Sequence, residues 1–319
     1  MFKSRIYRHD NEGIILFLTI LLIAAVIIIT STVTFCLSGV FIIAIFILSA
    51  MMIRSHHQSL MRHALAVNDI RTPELSHLVE ESAVKLQPGE VDVFLVNQNQ
   101  MNAYTFGVGD PKVLVLYRPL LHAMSPKELQ FVIGHEMGHV ALGHTWVNTI
   151  VGGLAGIPAP FGAAVLLYAA FRWWNRMCEY SADRAGLLAC GSLPAAIAAL
   201  VKLVAPEVRS QRDFEKALAA IDAEDDLVSN RFLEIFQSHP MLIRRINKLK
   251  DYAHTNEYRH LQANMNKNLQ VVRKPSSKSV EIPSENAVEP ANPPQEQASR
   301  PQKPEERWPW LKPIERQDK

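Results

Sequence analysis

The sequence predicts a mostly helical α+β domain with a small β-sheet, carried behind an N-terminal hairpin of two membrane-spanning helices. Three observations lead there. Residues 14–30 and 33–53 are uncharged apolar runs, each near the roughly 20 residues that span a bilayer. Residues 91–96 (VDVFLV) and 112–117 (KVLVLY) have the β-branched and aromatic character of strands. Residues 125–144 read as a capped helix with an apolar stripe, and it carries two histidines four positions apart.

The two apolar runs are separated only by Ser31 and Thr32, so a tight polar turn joins them. A second run directly after the first, with no small-residue cleavage site, argues against a removable signal peptide. Lys3, Arg5 and Arg8 precede the first run, and Arg54, Arg62 and Arg71 follow the second. Positive charge on both flanks places both ends in the cytoplasm. The expected organisation is a basic N-terminus at 1–12, a transmembrane hairpin at 13–53, a folded domain at 54–271 and a tail at 272–319. The expected setting is a bacterial-type inner or plasma membrane, with the lipid bilayer as the first partner. A net charge of +2 over 319 residues gives no reason to expect nucleic acid. Cys36, Cys178 and Cys190 form no disulfide framework; the last two read as core thiols in a reducing compartment.

Residues 57–87 read as one or two amphipathic helices broken near Thr72-Pro73, with Leu75, Leu78, Val79 and Val84 inward. Pro88-Gly89 ends that segment, and the first strand follows. Residues 102–111 are rich in turn formers. The strand preceding the two-histidine helix is either an edge that pairs with an extended peptide or an ordinary structural strand.

The helix itself opens with Ser125-Pro126-Lys127-Glu128, an N-cap, a proline at the first helical position and a capping-box glutamate. Leu129, Val132, Ile133 and Val140 give it an apolar stripe. His135-Glu136-Met137-Gly138-His139 puts two imidazoles on one face, where they can share one metal ion. Glu136 stands beside them, placed to take a proton from a water that the ion polarises. The alternative is a chance pair on a buried helix, which the helical context opposes.

Thr145 to Phe171 is 27 residues without a charge, with Gly156-Ile-Pro158-Ala-Pro160-Phe-Gly162 in its middle. A single crossing would leave His139 and Glu179 about 30 Å apart on opposite sides. Two half-length helices, each reaching roughly 18 Å, return the chain to the same side. A hydrophobic helical hairpin at 145–171 is therefore expected, dipping into the membrane or leaning on it, with Trp173 and Trp174 at the interface.

A hydrolytic zinc site needs three protein ligands and an open position. His135 and His139 supply two. His144 lies five residues past His139 and does not fit the extended three-histidine spacing. Glu179 is the better third ligand, and Asp183 lies on the same face one turn later, placed to orient a ligand histidine. Glu179 and Asp183 read otherwise as a solvated pair near Arg184.

With these residues in place the chain resembles the M48 family of membrane-integral and membrane-associated zinc metallopeptidases, the HtpX, Ste24 and Oma1 types. The resemblance covers roughly 90–250. It rests on Asn102-Ala103-Tyr104, on Ser125 to His144, on Glu179 with Asp183, and on Ser238-His239-Pro240 with Arg245-Ile246. It implies a zincin-like metallopeptidase domain holding one zinc ion per chain, with His135, His139 and Glu179 as ligands and Asp183 behind them. It also implies that His239 and Arg245 approach the scissile carbonyl. The hydrophobic stretch after the metal helix is shorter, and the tail longer, than the family pattern.

Residues 275–319 contain nine prolines and few apolar groups. Such a segment buries too little surface to offset ordering entropy, so 272–319 is expected to be a disordered tail. Trp308-Pro309-Trp310-Leu311 within it reads as a docking motif for a partner or as no motif at all. The functional expectation is a membrane-anchored zinc endopeptidase acting on proteins or peptides, chiefly misfolded membrane proteins. The alternatives are a non-enzymatic membrane adaptor whose structural zinc is closed by His144 or Cys178, and a prenyl-protein endoprotease.

Overall fold

The computed structural model describes residues 7–33, 61–107, 109–145, 162–204, 240–273 and 307–311, with isolated positions 44, 47, 48, 51 and 55. Eight helices appear among them. They are α1 (Glu12–Val33), α2 (Pro73–Leu86), α3 (Arg118–Ala123), α4 (Pro126–Ala141), α5 (Gly162–Cys190), α6 (Leu193–Val204), α7 (Pro240–Ala253) and α8 (Asn256–Arg273). Four strands, β1 (Leu65–Ala66), β2 (Val91–Val96), β3 (Ala103–Phe106) and β4 (Lys112–Tyr117), form one sheet in the order β1-β2-β4-β3. The architecture is the expected mostly helical fold with a small sheet.

β2 and β4 run parallel, with Val91 opposite Lys112 and Val96 opposite Tyr117. β3 pairs antiparallel with β4, from Ala103 opposite Leu116 to Phe106 opposite Val113. The strand before the two-histidine helix, β4, is thus interior. The outer strands among the described residues are β1 and β3, and β3 falls in the segment read from sequence as turn-rich. β1 is a second departure: Leu65 and Ala66, expected to be helical, pair with Leu95 and Phe94. Both residue types favour helix, but the β2 backbone offers them ladder hydrogen bonds, and tertiary pairing overrides the local preference.

α4 begins where its residues dictate. Ser125 Oγ accepts from Glu128 N–H, and Glu128 accepts from Ser125 N–H at 2.7 Å, closing a reciprocal capping box. Lys202 of α6 donates to both Glu128 oxygens, at 2.9 and 2.7 Å. The helix is buried on nearly all sides from Glu128 to Val140. It is the central rod of the core, with α2, α5, α6 and the sheet around it.

The partner that matters is α5. Glycines at 134 and 138 on α4 and at 186 on α5 let the two backbones approach closely. A Cβ on Gly134 would stand 2.4 Å from Ala189 Cβ, and one on Gly138 2.6 Å from Ala185 Cβ. A Cβ on Gly186 would meet Phe131 at 2.8 Å. Small residues every four positions, Gly134 and Gly138 against Ala182, Gly186 and the two alanines, form the seam.

α5 is one continuous helix through Glu179 and Asp183 to Cys190, where Gly191 at φ 66° ends it and α6 restarts. The expected hairpin at 145–171 lies outside the described residues except for Thr145 and the helical stretch from Gly162 onward. Trp173 is 49 % exposed, but Trp174, expected beside it at an interface, is 1 % exposed. Trp174 packs against Ile15 of α1 and Cys178, because the helix period turns it inward when its neighbour faces out. Of the expected transmembrane hairpin, α1 carries the first run. Ile15 and Thr19 are turned inward, while Ile14, Phe17, Leu18, Ile20, Leu21 and Ile28 are exposed. Among the described residues no helix is long and apolar enough to cross a membrane; several side chains late in α1 and most of the second run lie outside them.

Within the tail expected to be disordered, residues 307–311 pack against the core. Trp308 is 1 % exposed and Leu311 3 %. Trp308 Nε1 donates to Leu121 O at 3.0 Å, and Trp310 Nε1 donates to Glu74 at 2.8 Å. Two indoles and a leucine within four residues supply the local apolar area that the surrounding composition lacks.

Two outcomes follow from the packing. Gly134→Ala should lower the melting temperature of the chain in thermal denaturation: the clash is with a backbone-anchored methyl and costs about 1–3 kcal/mol, more than the roughly 1 kcal/mol that alanine gains in helix propensity. Trp308→Ala should destabilise by about 3–5 kcal/mol in chemical denaturation; an unchanged midpoint would mean that the segment does not pack there.

Candidate metal centre

The seam between α4 and α5 sets three side chains facing one point. His135 Nε2 and His139 Nε2 are 3.2 Å apart. His135 Nε2 lies 3.6 Å from one Glu179 oxygen, and His139 Nε2 lies 3.5 Å from the other. Two nitrogens and an oxygen at about 2.0–2.1 Å from a tetrahedral zinc stand roughly 3.3 Å from each other. The donor set and its spacing therefore fit zinc. The histidines are buried, while Glu179 is partly exposed.

Asp183 is 1 % exposed and lies 3.0 Å from His135 Nδ1. The carboxylate accepts from the ring, which leaves Nε2 as the free nitrogen on the side of the cluster. Arg245, from α7, donates to Asp183 Oδ2 through Nε at 2.8 Å and to Oδ1 through a terminal nitrogen at 2.6 Å. Its other terminal nitrogen is 3.1 Å from Glu179 Oε2. Burial raises the Glu179 carboxyl, but the Arg245 guanidinium and the two imidazoles reverse this and hold it well below the usual carboxylate range. Asp183 is pulled down against burial by the same arginine and by His135. Both are thus anionic at neutral pH. The Arg245 side chain braces these two carboxylates, because two buried anions one helical turn apart need a cation.

Glu136 follows His135 on α4 and is 8 % exposed. It is close enough to act electrostatically on His139 and Arg245. His239 lies outside the described residues; Pro240, next to it, opens α7. β3 sits beside α4, where Thr105 Oγ1 and Thr145 Oγ1 are 3.4 Å apart.

Behind His139 lies a second buried group. His139 Nδ1 is 3.0 Å from His144 Nδ1, and His144 Nε2 is 2.9 Å from Glu12 Oε1. Ser181 Oγ donates to Glu12 Oε2, and Arg8 lies 3.3 Å from Oε1. Burial holds the His144 imidazole below its ordinary value, and burial pushes the Cys178 thiol far up. Sequence reasoning gives Glu12, Ser181 and Arg8 no part in the metal centre. The available signal is a carboxylate at the foot of an apolar run, together with a third histidine five residues past the motif.

The comparisons agree with this geometry. The model of peptidase family M48 matches residues 69–253, more than half of the chain. The plastoglobule-localized metallopeptidase 48 of Arabidopsis thaliana is 26 % identical over 220 residues, 64 % of this chain and 64 % of that protein. Protease HtpX of Psychrobacter sp. (strain PRwf-1) is 27 % identical over 208 residues, covering 54 % of this chain and 68 % of its own length. A protease HtpX homolog of Pyrococcus abyssi is 26 % identical over 227 residues, 60 % of this chain and 77 % of that protein. The chain thus spans just under two thirds of the Arabidopsis relative. A family match across the whole of the two-helix seam, carrying a three-donor cluster of zinc dimensions, places the chain in peptidase family M48.

Proposed function

We propose that this chain is a zinc-dependent endopeptidase that hydrolyses peptide bonds in protein substrates at a membrane surface. The observation that carries the reading is the His135, His139 and Glu179 cluster, whose donor atoms stand 3.2–3.6 Å apart, with Glu136 adjoining. Zinc bound there supplies Lewis-acid polarisation of the scissile carbonyl and acidifies a water toward neutrality. The Glu136 carboxylate takes a proton from the attacking water and delivers it to the leaving amine nitrogen. Asp183 holds His135 in one tautomer, and Arg245 positions Asp183 and Glu179. His239 is the donor assigned to the developing oxyanion.

A structural, four-ligand zinc is the competing reading. The position of His144 disfavours it, since its ring meets His139 at Nδ1, the nitrogen turned away from the cluster. Membrane anchoring is supported by the exposed aliphatic face of α1 and by exposed Trp173. Glu12, at the foot of α1, sits within the buried shell of the candidate centre, so a substrate emerging from a bilayer would reach it first. Quality control of misfolded membrane proteins is the role consistent with that placement.

Two measurements test the assignment. Glu136→Gln should retain one zinc per chain by metal analysis yet lose at least about 100-fold in kcat; cleavage at the unmutated rate would remove the assigned base. Arg245→Met should cost about 3–5 kcal/mol in denaturant unfolding, because it strands two buried carboxylates, and zinc should recover part of that loss.

A further inference from the structure

The two histidines of the candidate centre are held from behind in different ways. His135 meets a carboxylate directly. His139 meets one through another imidazole: His139 Nδ1 to His144 Nδ1 at 3.0 Å, then His144 Nε2 to Glu12 Oε1 at 2.9 Å. The directions in this chain follow from its end. An ionised carboxylate only accepts, so His144 donates from Nε2 and its Nδ1 is an acceptor. His139 then carries its proton on Nδ1, and its Nε2 is left with a lone pair facing His135 and Glu179. The far end is rigid. Glu12 and His144 are 1 % and 2 % exposed, and Ser181 and Arg8 occupy the rest of the Glu12 carboxylate. Arg8 also donates to Leu142 O, at the end of α4, at 2.7 Å. Tyr7 is wholly buried in the main core, and His9 N–H donates to Ser181 Oγ at 2.8 Å. Glu12 cannot move away without uprooting residues 7–12.

We propose that Glu12 is a positioning residue for the metal centre, fixing the tautomer and ring plane of His139 through His144, so that the N-terminal segment is part of the site. This rests on the zinc reading of His135, His139 and Glu179. A second ion held by Glu12, His144 and Cys178, whose donor atoms lie within 4.8 Å of each other, is the rival explanation. It is opposed by the Arg8 guanidinium on the same carboxylate, and by both His144 nitrogens already being hydrogen-bonded.

The test is zinc affinity of the purified full-length chain, by competition with a chromogenic chelator, beside the melting temperature of the metal-free chain. The unmutated chain should bind one zinc, lost in His135→Ala. Glu12→Met, which keeps the volume and removes the acceptor, should weaken zinc about 10- to 100-fold. Glu12→Gln, which keeps an acceptor oxygen, should recover most of that. His144→Leu should weaken zinc similarly, and adding Glu12→Met to it should cost nothing more, because both act along one path. If Glu12→Met does not fold, His144→Leu and Glu12→Gln carry the test. A purely packing role would lower the metal-free melting temperature with the zinc constant unmoved, and that overturns the proposal. Additive losses in the double variant, or a second zinc lost in Cys178→Ala, overturn it too. An unmutated chain that binds no zinc, or whose zinc survives His135→Ala, defeats the underlying metal reading and this inference with it, and is distinguishable from the outcomes above.

Discussion

The close approach of α4 and α5 is the constraint on which the rest of the structure depends. Their contact has no room for side chains at Gly134, Gly138 and Gly186. Each of the first two glycines directly precedes a histidine of the motif. The spacing that makes one face of α4 smooth therefore turns the adjoining positions, 135 and 139, toward the residues that α5 presents at 179 and 183. A pair of helices held a side chain further apart would keep the same motif and lose the cluster, because Glu179 has a reach of only a few ångströms. Packing density, rather than any bond, places the third donor.

Once the helices are in contact, charge becomes the difficulty. Glu179, Asp183 and Glu12 are carboxylates in or at the edge of a largely apolar interior, and burial raises the free energy of each anion. The fold answers with arginines from outside the pair. Arg245 reaches in from α7 to span Asp183 and Glu179, and Arg8 reaches in from the N-terminal segment to Glu12. Two imidazoles are thus backed by two carboxylates, each with its own guanidinium. His135 has its carboxylate in contact, whereas His139 reaches Glu12 through His144.

The periphery is tied to the same core from both ends of the chain. The N-terminal segment buries Tyr7 and threads its backbone past Ser181 and Arg184. The C-terminal segment inserts Trp308 and Leu311 near α3 and α2. α1 leaves this core with most of its described aliphatic side chains exposed. An apolar helix rooted at the metal shell joins the proposed bilayer contact to the proposed chemistry within a few residues.

By itself the sequence determined the elements whose signals are local. The capping box at Ser125 and Glu128, the helix carrying His135 and His139 and the strand character of 91–96 and 112–117 all depend on neighbours within a few positions. The proximity of Glu179 to the histidines was legible too, since the motif supplies two donors and a hydrolytic zinc site needs a third. Tertiary structure alone decided which strand is the edge, that Trp174 turns inward while Trp173 does not, and that Arg245 spends its nitrogens on two carboxylates. It also decided that Glu12, 132 positions from His144, stands behind a candidate ligand. The physical reason is common to all four. Each depends on which surfaces meet across long loops, and side-chain periodicity specifies a face without specifying what will cover it.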